Sequence, residues 1–331
     1  MSGTRHIVFA VAGYAAIGMG HVYRALMLAR EFPGCRVSLC FSRDSESSAL
    51  NLAAGRYPCH IQWHPELAPD ILALAPDMVV NDLLDTDRAY MAALKAAGLP
   101  VINFEDLGPG AELADLVVNA LYERADGDDA RLLCGHRYFC LRDEFLMAEP
   151  NKFRPEAGRL LLTFGGADPK DYTRLCLDLL YPECRRLGLF LSIVAGPGYA
   201  HKADLARRIA FLDPQGSRIA YTDVSNVMSA AMQGVDAAVC SAGRTVYELA
   251  HMRIPALVLA QHEREESHGF AEEATGFLPL GVAGAADPEQ ILGTFQRLMA
   301  PEKRLALHKA ASRLDFRANK ARVVARMAAL L

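Results

Sequence analysis

No two cysteines in this chain stand at C-x-x-C spacing, although eight are scattered along its 331 residues. Zinc ribbons and thioredoxin-type redox sites need that spacing, so its absence argues against both. Several of the eight lie inside apolar runs, where a thiol packs as a small hydrophobe, and the usage fits a reducing cytoplasm. No apolar run is long enough to span a bilayer. The stretch "HIVFAVAGYAAIG" is short, glycine-broken and followed by an amphipathic pattern, unlike a cleavable signal. Excess positive charge is missing too: a net charge of -4 and a pI near 6.2 argue against nucleic acid as the main partner. Basic runs such as "RLDFRANKARVVAR" have the spacing of a solvated helix face. There is no Walker A lysine motif, no G-x-S-x-G and no H-E-x-x-H.

What is present is a well-packed globular composition, 52% hydrophobic and 22% charged with a mean hydropathy of +0.10. The length predicts two domains of about 150 residues each. Short apolar runs alternate with helical patterns. Strands are expected at 6–12, 36–42, 60–64, 77–82, 100–106 and 114–120, with helices over 21–32, 47–55 and 86–97. A polar segment with Pro155, 151–159, reads as a linker. The pattern then restarts with strands at 160–166, 189–196, 217–222, 237–241 and 255–260, and a helical end over 285–331. Apolar runs without strict alternation suit strands buried on both faces, and alternation with helices predicts parallel sheets. The expected fold is α/β, with Rossmann-like doubly wound domains at 1–152 and 153–331 facing across a cleft. In such folds ligands bind beyond the carboxyl ends of the strands.

Three strand-to-helix junctions carry candidate chemistry. In "GMGHVYRALMLAREF", Gly18 and Gly20 precede His21 and Arg24 at a helix start. The dinucleotide fingerprint fails here, because Tyr23 stands where a third glycine belongs; Asp44 after the second strand keeps a nicotinamide reading open. A helix N-terminus favours an anion and keeps a histidine neutral, fit to act as a base. A capping or packing histidine would read the same way locally. In "LLLTFGGADP", Gly165 and Gly166 allow close backbone approach, though many such turns carry glycine. In "VCSAGRTVYELA", Ser241, Gly243, Arg244 and Thr245 form an anion cradle at a helix start, and Glu248 lies one turn on, where a carboxylate can accept from two ribose hydroxyls. The alternative is a capped helix with a surface glutamate.

Two further stretches are weaker. Asp85-x-Asp87 matches a metal-binding D-x-D, but helix-start acids explain it better. "QHEREESHGF" concentrates His262, Arg264 and His268 after a strand, more suited to a sugar or diphosphate than to a metal.

Taken in order, "GMGHVYRALMLA", "VINFEDL", "ADLVVN", "YFCLRDEF", "LLLTFGGADP" and "SAGRTVYELAHMRIPALVLA" resemble the family of the UDP-sugar hydrolase of pseudaminic acid biosynthesis and the spore-coat polysaccharide proteins. The likeness runs over most of the chain and extends distantly to the peptidoglycan GlcNAc transferase, which implies a GT-B fold. It implies that His21 serves the attacking water and that Ser241, Gly243, Thr245 and Glu248 hold UDP. It further implies that Val227 and Met228, in "VSNVM" (224–228), meet uracil, and that Gly165 and Gly166 lie near the diphosphate. Asp82 is retained from the hydrolase pattern. Two departures stand out: Leu84 replaces the hydrolases' tyrosine, and Arg264 stands about where their Asn-Gln pair would begin.

The resulting expectation is a metal-independent enzyme with no cofactor. It would cleave the anomeric C–O bond of a UDP-linked amino or deoxy sugar, for nonulosonate or surface polysaccharide synthesis, with His21 and Asp82 as the catalytic pair. The alternative is a GT-B glycosyltransferase that moves the sugar to an acceptor. A third reading is a non-catalytic nucleotide-sugar binding protein. Membrane contact is expected only with a lipid-linked acceptor.

Overall fold

The computed structural model describes residues 3–13, 20–45, 47–124, 129–223, 227–282 and 288–331, without the side chains of 47–49. The chain divides into two compact units, residues 1–142 with 318–331, and residues 143–317.

The first unit contains one parallel sheet of seven strands: β1 (His6–Val11), β2 (Arg36–Phe41), β3 (Cys59–Ile61), β4 (Met78–Asp82), β5 (Val101–Phe104), β6 (Leu116–Asn119) and β7 (Leu132–Cys134). Their order is β3-β2-β1-β4-β5-β6-β7. β1 is buried along its whole length, as a strand covered by helices on both faces must be. The order reverses direction between β1 and β4, so the loops leaving their carboxyl ends part to opposite sides. The helix Gly20–Ala29 follows β1 and places His21 at that reversal.

The second unit repeats the plan with six parallel strands: β8 (Arg159–Thr163), β9 (Phe190–Val194), β10 (Ile219–Thr222), β11 (Ala237–Ser241), β12 (Ala256–Ala260) and β13 (Phe277–Val282). The order is β10-β9-β8-β11-β12-β13, with its reversal between β8 and β11. Leu160, Leu162, Leu191, Ile193, Val239 and Leu257 form part of its core, against Cys176, Leu180 and Cys184 of the helix Tyr172–Arg186.

The division differs from the expected 1–152 and 153–331 in two places. Residues 143–152 belong to the second unit, and 318–331 return to the first. The helix Asn319–Ala328 is tied there by Asn319 Nδ2, which donates to the carbonyls of His136 (2.7 Å) and Phe139 (3.1 Å), and by Lys320 against Glu31 (2.8 Å). The polar segment read as a linker is instead built into the second unit. Asn151 Nδ2 donates to the carbonyls of Met232 and Val235, and the Arg154 guanidinium grips Asp236 at 2.7 Å. Asn151, 9% exposed, thereby satisfies two backbone carbonyls of that unit. β7 and β13 were not anticipated. All eight cysteines are free. Among the described residues no helix is long and apolar enough to cross a membrane.

Candidate functional site

In the first unit, His21 opens the second position of its helix, and Asp82 ends β4 alongside. The imidazole Nδ1 is hydrogen-bonded to Asp82 Oδ1. An ionised carboxylate only accepts, so Nδ1 carries the proton, and in the neutral imidazole Nε2 is the acceptor. Arg24 lies one helical turn after His21, on the same face. Its Nε donates to Asp82 Oδ2 (2.7 Å), Nη2 to Asp82 Oδ1 (2.6 Å) and Nη1 to Glu105 Oε1 (2.8 Å). The guanidinium also lies over the Phe104 ring, 4.9 Å from its centroid. His21, Arg24, Asp82 and Glu105 are between 1% and 9% exposed, so the four form a buried charged cluster. Burial alone would favour a protonated Asp82, but the charges of Arg24 and His21 and their hydrogen bonds prevail and hold it at about 2. Arg24 is likewise stabilised in its charged form: burial opposes it, and Asp82 and Glu105 outweigh burial.

His21 and Asp82, expected as a catalytic pair, are bonded to each other. One expectation is corrected. Arg24 was expected to touch substrate; it is 3% exposed and engages Asp82 and Glu105 instead. Gly20 begins the helix, and Gly18 lies outside the described residues. Asp87 caps the helix Arg88–Ala96 through the Tyr90 N–H (2.7 Å), while Asp85 accepts from the Leu107 N–H at 2.9 Å. Leu84, in the tyrosine position, has a positive φ of 68°.

In the second unit, the loops after β8, β11 and β12 carry the remaining candidates. Gly165 has φ +80°, a conformation open to glycine. The carbonyls of Gly165 and Gly166 are approached so closely by Gly196 that a Cβ there would collide with both, and Gly198 N–H donates to Gly166 O at 2.9 Å. Backbone packing within the unit therefore accounts for part of the glycine pair. Ser241 ends β11 and is buried; Arg244 immediately precedes the helix Thr245–His251. Glu248 is 7% exposed, which overturns the surface-glutamate alternative. Val227, half exposed at 49%, precedes the helix Met228–Met232, and Met228 is buried; 224–226 lie outside the described residues.

The two histidines of "QHEREESHGF" have separate tasks. His262 Nδ1 accepts the Glu265 N–H (3.2 Å), capping the short helix Glu263–Glu266, which Arg264 shares. His268 donates from Nδ1 to the Ala242 carbonyl (3.0 Å), and burial pulls it down to about 4, so it is neutral at pH 7 and braces the Ser241–Gly243 turn. Among the described residues no group of three or more His, Cys, Asp or Glu side chains is placed to hold a metal ion.

Three residues escaped sequence reading. Glu105 completes the cluster of the first unit. Glu265 accepts the Gln261 N–H (2.8 Å) and a backbone bond from Ala242 and lies against Gly243; burial pushes it up to about 7 despite both bonds. Gln261, 6% exposed, donates from Nε2 to Asp168 (2.9 Å), joining the loops after β12 and β8. Nothing in linear spacing distinguishes these from neighbouring acids and amides.

No family model matches the chain. It is 26% identical over 267 residues to an uncharacterized protein of Methanocaldococcus jannaschii; the match covers 76% of this chain and 54% of that protein, so the chain spans about half of that relative's length. It is 26% identical over 324 residues to the spore coat polysaccharide biosynthesis protein SpsG of Bacillus subtilis, with 91% of each chain covered. Among solved structures it is similar to MurG of Acinetobacter baumannii (TM-score 0.67, 19% identity, 97% and 99% covered). It is also similar to HepE of Anabaena in complex with UDP and glucose (0.62, 13%, 97% and 99%). A third likeness is to the glycosyltransferase SnogD of Streptomyces nogalater (0.60, 15%, 99% of each). These likenesses show the fold: GT-B-like, with two Rossmann-like doubly wound domains.

Proposed function

We propose that the protein is a UDP-sugar-dependent enzyme of surface polysaccharide biosynthesis that transfers the sugar to an acceptor hydroxyl. The observation that carries this is the His21–Asp82 pair at the strand-order reversal of the first unit, with Nε2 left as an acceptor. In the proposed reaction Nε2 takes the acceptor's O–H proton as its oxygen bonds to the anomeric carbon. The anomeric C–O bond to the diphosphate breaks, and its electron pair leaves on UDP. Asp82, held ionised, stabilises the imidazolium that forms.

In this reading Ser241, Gly243, Arg244 and Thr245 receive the diphosphate, whose departing charge the backbone N–H groups of their turn stabilise. Glu248 holds the ribose, Val227 and Met228 the uracil, and Gly165, Gly166, His262 and Arg264 line the diphosphate and sugar, while His268, expected there too, braces the turn. The likeness to HepE with UDP and glucose supports the donor, and SpsG supports the polysaccharide context. The likeness to SnogD, a glycosyltransferase, favours transfer over the hydrolysis first expected from the sequence. Water is the limiting acceptor in the same chemistry.

The test is UDP release from a panel of UDP-amino sugars, with and without polysaccharide and lipid-linked acceptors, in the parent and His21→Ala. Acceptor-dependent release abolished by the substitution is expected. Release independent of any acceptor would establish hydrolysis instead, and undiminished turnover by His21→Ala would remove the base assignment.

A further inference from the structure

Four groups form the buried cluster of the first unit, and one of them, Glu105, has no place in the reaction just proposed. Its backbone is held in an unusual form: φ is +54°, which side chains rarely adopt, and its N–H donates to the Val118 carbonyl at 3.0 Å. The next residue fixes that form. Asp106 accepts from the Thr86 N–H (3.0 Å), Thr86 Oγ1 (2.6 Å), Asn103 Nδ2 (2.6 Å) and the Gly108 N–H (2.8 Å), and its own N–H donates to Asn119 Oδ1 (2.9 Å). A strained residue anchored this firmly presents its side chain in one place. Oε1 takes Arg24 Nη1, and Oε2 takes the Leu121 N–H at 3.3 Å. With Nη1 pinned, the other edge of the planar guanidinium faces Asp82 with two parallel bonds, the fork geometry in which arginine orients a carboxylate.

Charge counting gives Glu105 a second effect. Asp82 and Glu105 bring two negative charges against one on Arg24, in a cluster almost closed to water. With a neutral imidazole the cluster carries a net -1; a proton on His21 cancels it. Among the described residues, other titratable groups that act on the cluster include Cys140, which acts on Arg24, and Cys134, which interacts with Glu105 and also with Glu123 and Arg124.

We propose that Glu105, acting through Arg24, is a positioning residue for proton transfer at His21: it aims the Asp82 carboxylate at Nδ1 and leaves the cluster one positive charge short until the imidazole is protonated. The inference rests on His21 being the base. Arg24 is the link, and Glu105 touches neither acceptor nor donor.

The test uses Glu105→Gln, which keeps shape and removes charge, with Glu105→Asp as the conservative variant. In Glu105→Gln, kcat falls about tenfold or more with KM for the UDP-sugar nearly unchanged, and the acid limb of the rate profile moves about one pH unit lower. Glu105→Asp restores part of both. A histidine ¹⁵N NMR titration, with the His21 signal assigned by its absence in His21→Gln, reads the same displacement without turnover. That keeps the two failures apart: no turnover in the parent would sink the proposed function, whereas an imidazole titration identical in parent and Glu105→Gln would sink this inference. A folded Glu105→Gln with reduced kcat but an unmoved titration and pH profile would reduce Glu105 to a structural role and also overturn it.

Discussion

Replacing Asp82 by asparagine removes the charge on which His21 and Arg24 converge while keeping a side chain of the same shape. The structure sets the size of the effect. Asp82 is 1% exposed and is held at about 2 against an ordinary 3.8, so its ionised form is favoured in the folded chain by about 2 kcal/mol. Arg24 keeps Glu105, so the loss stays below the roughly 3–5 kcal/mol expected when a buried charge is left wholly unpaired. For a unit of this size that is a melting temperature lower by about 4–8 °C. The sign with pH follows from a lowered carboxyl: its contribution is fully present above 3.8 and disappears as pH falls through about 2. Urea denaturation of parent and Asp82→Asn at pH 7 and at steps down to pH 2 therefore shows a gap that closes over the last two units. Turnover falls further than stability, about a thousandfold, because the amide cannot hold the Nδ1–H tautomer or stabilise the imidazolium. Equal midpoints at pH 7, or a gap that persists unchanged to pH 2, would refute the electrostatic reasoning.

Three other expectations concern the second unit. Glu265 has a raised carboxyl, so its contribution to stability is full below 4.5 and is lost as pH rises through about 7; Glu265→Gln flattens that loss in denaturation curves taken from pH 5 to 8. Gly196→Ala forces a methyl onto the carbonyls of Gly165 and Gly166 and costs about 2–3 kcal/mol in urea denaturation, whereas Gly165→Ala, whose methyl would meet Ser241 Oγ only at an ordinary 3.7 Å but must adopt φ +80°, costs about 1–2 kcal/mol from conformation. Glu248→Gln weakens UDP binding about tenfold in calorimetry if its carboxylate holds the ribose; an unchanged dissociation constant would withdraw that role.

Most strands that could be read from sequence are buried on both faces, although the exposed edge strands β3 and β10 were also expected, at 60–64 and 217–222. β11 was expected at 237–241 and is Ala237–Ser241. The two that escaped are edge strands. β7 has three residues and an exposed Leu132, too short to show a pattern. β13, "FLPLGV", contains Pro279 and Gly281, which argue against a strand unless it lies at an edge, where one row of N–H groups needs no partner. The junctions themselves were legible, because a strand, a turn and a helix start leave a local mark. The side-chain partnerships were not. Arg24 follows His21 by one turn and so looked aimed at the same ligand, but its partners stand 58 and 81 residues away. Only the sheet order brings β4 and β5 beside that helix. Glu265 was one acid among several in a charged stretch, and its burial depends on the turn after β11.

The return of residues 318–331 to the first unit has a consequence for how the chain is made. Synthesis runs from the N-terminus, and domains ordinarily fold as they emerge. Here all of 143–317 must be translated before the helix that donates from Asn319 to the carbonyls of His136 and Phe139 exists. The first unit to appear is the last to be completed. A chain stopped at residue 317 thus carries its injury at the far end of the sequence from the cut: the second unit is whole, and the earlier sheet lacks the helix that closes it.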